Sequence, residues 1–385
     1  MKPKLFSPGG PSFSWLTTAK AVDSEGKNSS TTLESTALAV AQTAGLSSMY
    51  EQSVSKEALT SPKVAVIIVS YNTSALLCGC LRSLQDVTLP LRILVVDNAS
   101  KDDTVDLVQA YFRDVQLIGL GKNVGFAAAN NIGLRECGFS DGQTPESTSL
   151  SSQSALPEFV LLLNPDTTVH PGAIEALVAF LQAHPRVGLV GPQLLNPDGT
   201  WQPAAFRFPT LLMSLFEVFP PGECLPGRWY NSWAHGRYPQ TPTPSPIDHP
   251  LGACMLVRRE VLPQVGLLDE RYFIYCEELD WCWRIRQAGW AIWQVPQAQV
   301  THVGGAATSQ VHEQMFGALH QSRLIFLQRH YAPNFVRAHR LITFIGLLRK
   351  IFQTWAAFRR QQLTYSAFQA QLRAYSKVLA ILVVA

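Results

Sequence analysis

Two neighbouring glutamates and an aspartate open the segment FIYCEELDWCWRIRQAGW (Phe273–Trp290). Carboxylates grouped in this way can take a proton from a reacting group. The spacing predicts a helix over 276–288, ended by Gly289, with Glu277, Glu278 and Asp280 at its start, where the helix dipole favours acids. Asp280 and Arg284 form an i,i+4 pair, so Asp280 has a structural explanation, whereas Glu277 reaches Arg284 only through bent side chains. Two adjacent glutamates among aromatic residues are explained less well in that way. A carboxylate beside another carboxylate and apolar walls acquires a raised pKa, which suits a general base.

Three further polar stretches each follow an apolar run: Ser70-Tyr71-Asn72, Asp97-Asn98-Ala99-Ser100 and Asn164-Pro165-Asp166. An Asp past a strand can accept hydrogen bonds from a base or ribose, and one beside phosphates usually holds a divalent metal. Any one of these stretches is equally what a turn or a cap uses; all three together are harder to read so. The loop Lys122–Phe126, with Asn123 and Gly125, feeds a predicted helix and suits phosphate or ribose. It is neither a P-loop nor a G-x-G-x-x-G fingerprint, which argues against a kinase, an NTPase and a nicotinamide dehydrogenase. His302, in THVGG after a predicted strand, is of a kind that is usually structural. Beside Asp166 in space it would be a second metal ligand.

The elements that position these residues follow from the apolar runs. VAVIIVS (64–70), LRILVVD (91–97) and FVLLL (159–163) read as strands buried on both faces, with a further strand at 115–120. Helical spacing falls at 74–84, 103–112 and 125–137. Strand and helix alternating at about 30-residue intervals mark a parallel sheet, whose ligands bind beyond the carboxyl ends of the strands. Pro171 is placed as the first residue of a helix to 183. Strands are expected at 187–191, within 247–257 and at 290–295, and late helices at 341–358 and 363–384. The Ser-, Thr-, Ala- and Gly-rich residues 1–62 read as a disordered tail with a short helix near 33–43. Residues 140–157 read as a surface insertion, and PQTPTPSP (239–246) as an extended, mobile loop. The organisation expected is a tail (1–62), a catalytic domain (63–330) and a basic helical extension (331–385).

The 385 residues, 47% apolar and 15% charged, suffice for a substantial core, and a net charge of +3 does not suggest a nucleic-acid partner. Seven cysteines with no C-x-x-C pair argue for free thiols in a reducing cytosol rather than a zinc ribbon. There is no signal-peptide h-region and no run of about 18 uncharged apolar residues. Glu313 is the last acidic residue, and ten Lys and Arg follow it. In 341–358 the residues Leu341, Phe344, Ile345, Leu348, Ile351, Phe352, Trp355 and Phe358 share one helical face. A spanning helix would place Arg349 and Lys350 near mid-bilayer, at about 2.5–3.5 kcal/mol each. The stripe therefore reads either as an interfacial helix on an anionic inner membrane face or as packing against the domain or a partner.

Taken together, IIVSYN, VVDNASKDDT, NVGFAAANNIG, LLLNPDTTV, FRFPT, GACMLVRR, the Glu-Glu helix and the His302 strand resemble the family 2 glycosyltransferases, in the family's order over about 64–329. Within that family the resemblance is to rhamnosyltransferase-like members. It implies an α/β fold of the GT-A type with a mainly parallel central sheet and a helical C-terminal extension. It implies that Ser70, Tyr71, Asn72, Asp97 and Asn98 hold the nucleoside, that Asn123 and Gly125 flank ribose and phosphates, and that Asn164 and Asp166 occupy the place of an Asp-x-Asp. With Asn first, a Mg2+ or Mn2+ ion would rest on Asp166, with His302. Glu278 stands where the family typically has Asp. The resemblance makes it the base, with Glu277 and Asp280 beside it and Gly252 and Ala253 leaving room for sugar and acceptor. The implied reaction is a metal-dependent, inverting transfer from a nucleotide-diphosphate sugar to a glycan or lipid-linked acceptor at the cytoplasmic membrane face. Two other classes stay open: a catalytically silent nucleotide-sugar-binding module, and a nucleotidyltransferase. The second would want a glycine-rich basic loop that 70–77 lacks.

Overall fold

The computed structural model describes residues 62–140, 156–219, 241–305 and 312–384. The helix expected near 33–43, residues 1–61 of the tail and residues 141–155 of the insertion lie outside them.

The first half alternates strand and helix as the apolar runs dictate. Its elements are β1 (Val64–Ser70), α1 (Ser74–Ser83), β2 (Leu91–Asp97), α2 (Thr104–Tyr111), β3 (Gln116–Gly119), α3 (Phe126–Glu136) and β4 (Phe159–Leu163). β1 is buried at every position and lies parallel between β2 and β4, with β3 parallel on the far side of β2. Val64, Val66 and Ile68 point to the layer of α1 and α2, while Ala65 and Ile67 point to that of α3. This two-sided burial is why the run is continuous rather than alternating.

Next come β5 (Thr167–Val169), α4 (Ala173–Ala183), β6 (Val187–Leu195), β7 (Trp201–Gln202), β8 (Ala205–Phe206) and α5 (Leu211–Val218). They are followed by β9 (Ser245–Pro246), β10 (His249–Pro250), β11 (Cys254–Arg258), α6 (Leu262–Val265), α7 (Glu277–Gln287) and β12 (Ala291–His302). The main sheet runs β3-β2-β1-β4-β11-β6-β12-β5. β11 is antiparallel to both β4 and β6, β6 and β12 are parallel, and β5 closes the edge antiparallel to β12. The expected α/β class with a mainly parallel core is therefore what the chain adopts.

Several boundaries differ from expectation. α4 starts at Ala173, because Gly172, at φ 78°, turns the chain first and leaves Pro171 outside the helix. β6 continues through Pro192 to Leu195, and β12 through Pro296 to His302; the pairing of these strands shifts register between Val295 and Gln299, where prolines do least harm. The strand expected within 247–257 is split into β10 and β11. Within the loop expected at 239–246, Ser245 and Pro246 form β9 against Gln294 and Trp293 of β12.

Three long helices close the chain: α8 (His312–His330), α9 (Pro333–Arg359) and α10 (Tyr365–Val384). α8 buries Leu324, Phe326 and Leu327 with Tyr272, Cys276 and Leu279 at the start of α7. Leu347 of α9 meets Val378 and Leu382 of α10.

Candidate active site

The carboxyl ends of β1, β2 and β4 bring the sequence motifs to one edge. Register places Ser70 opposite Asp97, and the Asn98 N–H donates to the Ser70 carbonyl at 2.8 Å. The Ser70 hydroxyl is fully buried and bonded to Thr73 Oγ1 at 2.9 Å, so it holds the turn. Asn72 sits at φ 51°; its Oδ1 accepts from Lys101 N (2.7 Å), while its own N–H donates to Ser100 Oγ (2.9 Å). Tyr71 is half-buried between them. Asp97 uses one oxygen to accept from Ser100 N at 3.1 Å, and its other oxygen is buried with no partner. Buried carboxylate oxygens are rarely left so, and this one is an open acceptor for a ligand donor.

Asn98 and Asn123 were expected to face the donor, and they are found bonded to each other. Asn98 Nδ2 donates to Asn123 Oδ1 (3.0 Å), and Asn98 Oδ1 accepts from Val124 N (2.9 Å). The pair fastens the loop before α3. Gly125, at φ 90°, is required there: a Cβ would lie 2.5 Å from the Phe273 carbonyl, which accepts from Phe126 N at 2.7 Å.

Asn164 and Asp166 follow β4. Asn164 N donates to the Ala253 carbonyl at 2.9 Å, and its Oδ1 is buried without a partner. The β5–β12 pairing sets Thr167 against His302, which carries the imidazole to Asp166. His302 Nε2 lies 3.4 Å from Asp166 Oδ1, and Gly304 N donates to Oδ2 at 3.1 Å. Burial pushes the Asp166 carboxyl up, but His302 and the backbone donors outweigh it and hold it below the ordinary range.

Gln202 of β7 orients this imidazole, and no motif pointed to it. Its Nε2 donates to the His302 carbonyl (3.2 Å) and to Asn196 Oδ1 (3.0 Å), so its Oε1 is the acceptor facing His302 Nδ1 at 2.7 Å. Nε2 is left as the ring atom turned toward the Asp166 carboxylate. One carboxylate and one imidazole fixed by a second hydrogen bond are a donor set that would fit a divalent ion. No group of three protein ligands occurs among the described residues.

The start of α7 is strained. Tyr275 and Cys276 both have left-handed backbone angles, φ 69° and 65°, immediately before the two glutamates. With Asn72 and Ala99 (φ 66°), four of the five non-glycine residues of positive φ among those described stand at this edge. Such strain gathers at sites that must hold a side chain in one place.

Glu278 is half-buried and lines a cavity of about 170 Å³ together with Tyr275, His249, Arg207, Met213 and Arg323. Burial raises its pKa above the ordinary carboxylate value, against the pull of backbone donors. Glu277 is buried, has one oxygen without a partner and is raised further, by burial first and by Glu278 second. Gly252 lies against Glu278: a Cβ there would touch its Cγ at 3.4 Å. Burial holds His249 down to about 4, so the cavity wall it forms, stacked with Phe206 at 5.4 Å, is neutral and aromatic.

Asp280, expected with the glutamates, is turned away from the cavity. It is fully buried, with Oδ2 on Arg284 Nε (2.8 Å) and Oδ1 on His330 Nε2 (2.7 Å). Burial raises its pKa, but His330 and Arg284 outweigh that and lower it. With both oxygens engaged it ties α7 to α8 and has none free for a proton transfer.

Comparison with known proteins gives these motifs a context. The family described as glycosyl transferase family 2 matches residues 65–266. An N-acetylglucosaminyl-diphospho-decaprenol L-rhamnosyltransferase of Mycobacterium tuberculosis is 32% identical over 263 residues, 68% of this chain and 83% of that protein. A low-salt glycan biosynthesis hexosyltransferase of Haloferax volcanii is 25% identical over 286 residues, 74% of this chain and 80% of that one. Among solved structures, a mannosyltransferase of Pyrobaculum calidifontis in complex with GDP-Man and Mn2+ aligns with TM-score 0.47 and 16% identity, over 84% of this chain and 86% of that one.

Proposed function

We propose, because this chain belongs to glycosyl transferase family 2, that it moves rhamnose from a nucleoside-diphosphate donor to a hydroxyl of a lipid-linked glycan, inverting the anomeric carbon. That it is a glycosyltransferase follows from the family; the sugar, acceptor and stereochemistry are our reading. The rhamnosyl and diphospho-lipid terms come from the name of the mycobacterial relative. The observation that carries the reading is the cavity lined by Glu278 at the sheet edge that also holds the open oxygen of Asp97 and the Asp166–His302 pair.

In this reading Asp97 accepts a hydrogen bond from the donor's base, and the loop fastened by Asn98 and Asn123 presents the amino end of α3 to ribose and phosphates. Tyr71 and Asn72 border the nucleoside. Asp166 and His302 hold a Mg2+ or Mn2+ ion; such an ion, when bound, offsets charge on the leaving diphosphate. Asn164, Gly252 and Ala253 leave space for the sugar between this pair and Glu278. Glu278 takes the proton of the acceptor hydroxyl while that oxygen bonds to the anomeric carbon. The bond from that carbon to the diphosphate oxygen breaks, and the diphosphate departs with the electron pair. A single displacement inverts configuration. The raised pKa of Glu277 keeps a second charge from building up beside the base. The reaction is assigned to the cytoplasmic side, where nucleotide sugars are made.

The test is calorimetric titration of UDP and dTDP with and without Mn2+. Binding that needs the metal and disappears in Asp166→Ala is expected, with dTDP preferred. A product of retained anomeric configuration would overturn the mechanism, and metal-independent binding would overturn the role of Asp166.

A further inference from the structure

The longest helix among the described residues, α9, is packed inside out. The side of α9 that faces the protein buries His339, Thr343, Gly346 and Thr354 with Val336 and Leu347. Its solvent side exposes Leu341, Phe344, Ile345, Leu348, Phe352 and Trp355, from 40% for Phe344 to 66% for Phe352. These positions recur every three or four residues and form one continuous stripe. A helix on a water-facing surface has the opposite arrangement. α5 enlarges the patch with exposed Leu212, Leu215 and Phe219. The two helices are joined by the Ser214–His339 hydrogen bond (2.9 Å) and by Arg349, which donates to the Val218 carbonyl. Gly346 meets Val218 so closely that a methyl group on the glycine would overlap it.

Basic groups border the patch. Arg349 lies 5.4 Å over the Phe219 ring and Arg359 lies 5.9 Å over Trp355; Arg337 and Arg360 are exposed. No acidic residue follows Glu313 in the chain. Aromatic and aliphatic side chains rimmed by arginine, with Glu217 of α5 half-buried and paired with Arg323, complement an anionic lipid surface.

We propose that α9 and α5 dock this face into an anionic lipid monolayer, lying in the interface rather than crossing it. α9 has the length and composition to span. Its contacts hold it along the protein: Thr354 bonds Gln371 of α10 at 2.9 Å, and Lys350 lies 5.9 Å over Phe316 of α8. Spanning would strip these partners. A second copy of the chain is a poorer occupant, since a two-fold contact would set arginine against arginine, and the one acid these two helices carry, Glu217 of α5, is already paired with Arg323 of the same chain at 2.8 Å. α5 turns Met213 into the cavity of Glu278 while turning Leu212 and Leu215 outward. Docking would thus bring a lipid-borne acceptor to the far side of one short helix from the base; that last step rests on the function proposed above.

The test is flotation of the full chain with phosphatidylcholine vesicles and with vesicles that also contain phosphatidylglycerol, without donor or acceptor. Binding only to the anionic vesicles, weakened by salt, is expected. Phe352→Ser with Trp355→Ser should lower partitioning by about tenfold or more, with unchanged thermal unfolding because both side chains are exposed. Arg359→Gln with Arg360→Gln should remove the preference for anionic lipid. Absence of flotation, or flotation unaffected by the Ser pair, overturns docking. So does a dimer in sedimentation that the Ser pair converts to monomer, or protein that resists alkaline extraction from vesicles. Because no sugar nucleotide is present, failure here leaves the transfer reaction untouched, and a failed transfer assay with soluble acceptor leaves docking untouched.

Discussion

In the proposed reaction Glu278 has to be an anion when an acceptor hydroxyl arrives, yet burial holds its pKa above the ordinary 4.5. The folded enzyme therefore loses its base as pH falls through a value higher than that of a free glutamate. The expected result is an acid limb in kcat/KM above about pH 4.5, the free-glutamate value, flattened in Glu278→Gln. That variant should lose about 10²–10⁴-fold in kcat with unchanged nucleotide affinity, because Glu278 borders the cavity proposed for the acceptor and not the proposed nucleoside end. Glu278→Asp, which restores the carboxylate on a shorter arm, should recover part of the rate. Equal loss in both variants would make the site one of shape rather than of proton transfer. At this scale the sequence showed which side chains could react but not which were free to. Asp97 and Asp166 were legible as acids at the ends of apolar runs, and Glu277 and Glu278 as acids at the start of a helix. That Asn98 and Asn123 spend their amides on each other was not, since such a bond depends on how two loops meet. Gln202 was hidden for the same reason, lying 100 residues from the imidazole it orients. The left-handed backbone at Ala99, Tyr275 and Cys276 falls on residue types that give no warning of it.

Elements carry these residues only if their ends are held, and α7 is held by Asp280. Its carboxylate joins Arg284 within α7 to His330 at the end of α8, and Arg329 stands 3.4 Å away. Removing one member of a buried ion cluster leaves the others uncompensated, at about 3–5 kcal/mol. Asp280→Ala is accordingly expected to lower the midpoint of urea unfolding strongly. Activity per folded molecule, measured at a temperature where the variant stays folded, should fall far less than in Glu278→Gln. A variant as stable as the parent and just as inactive as Glu278→Gln would return Asp280 to the chemistry. The elements themselves were well marked where burial is two-sided: β1, β2 and β4 end where their apolar runs end. β6 and β12 run past the strands expected at 187–191 and 290–295, and the chain absorbs Pro192 and Pro296 at a register shift. That extension matters, since the last three residues of β12 are the ones that pair with β5 and place His302.

On the scale of the molecule, α9 is coupled to the proposed reaction site through α5, while α8 lines its cavity directly with Leu319 and Arg323. One side of α5 meets α9 at Val218 and Ser214; another turns Met213 into the cavity of Glu278. The proposed donor edge, at the ends of β1, β2 and β4, is reached instead from α8, where Ser322 donates to the Ile274 carbonyl next to the Phe273 carbonyl that accepts from Phe126. Gly346→Leu places a branched side chain where even a methyl group overlaps Val218, so α9 and α5 must separate. Overpacking of this kind costs about 1–3 kcal/mol. A loss of stability alone would lower the folded fraction and affect every substrate equally. Displacement of α5 should act on one substrate only: KM for the acceptor is expected to rise several-fold while dTDP binding stays unchanged. Val108→Ala in α2, a buried change remote from α5 that costs a similar amount by opening a cavity, is the control. It should lower thermal stability without separating the two substrates. If Gly346→Leu shifts both substrates together, or neither, then α9 supports the fold without shaping the acceptor cavity. If only the acceptor responds, the helices that carry the exposed apolar face also shape the wall of the cavity that holds the base.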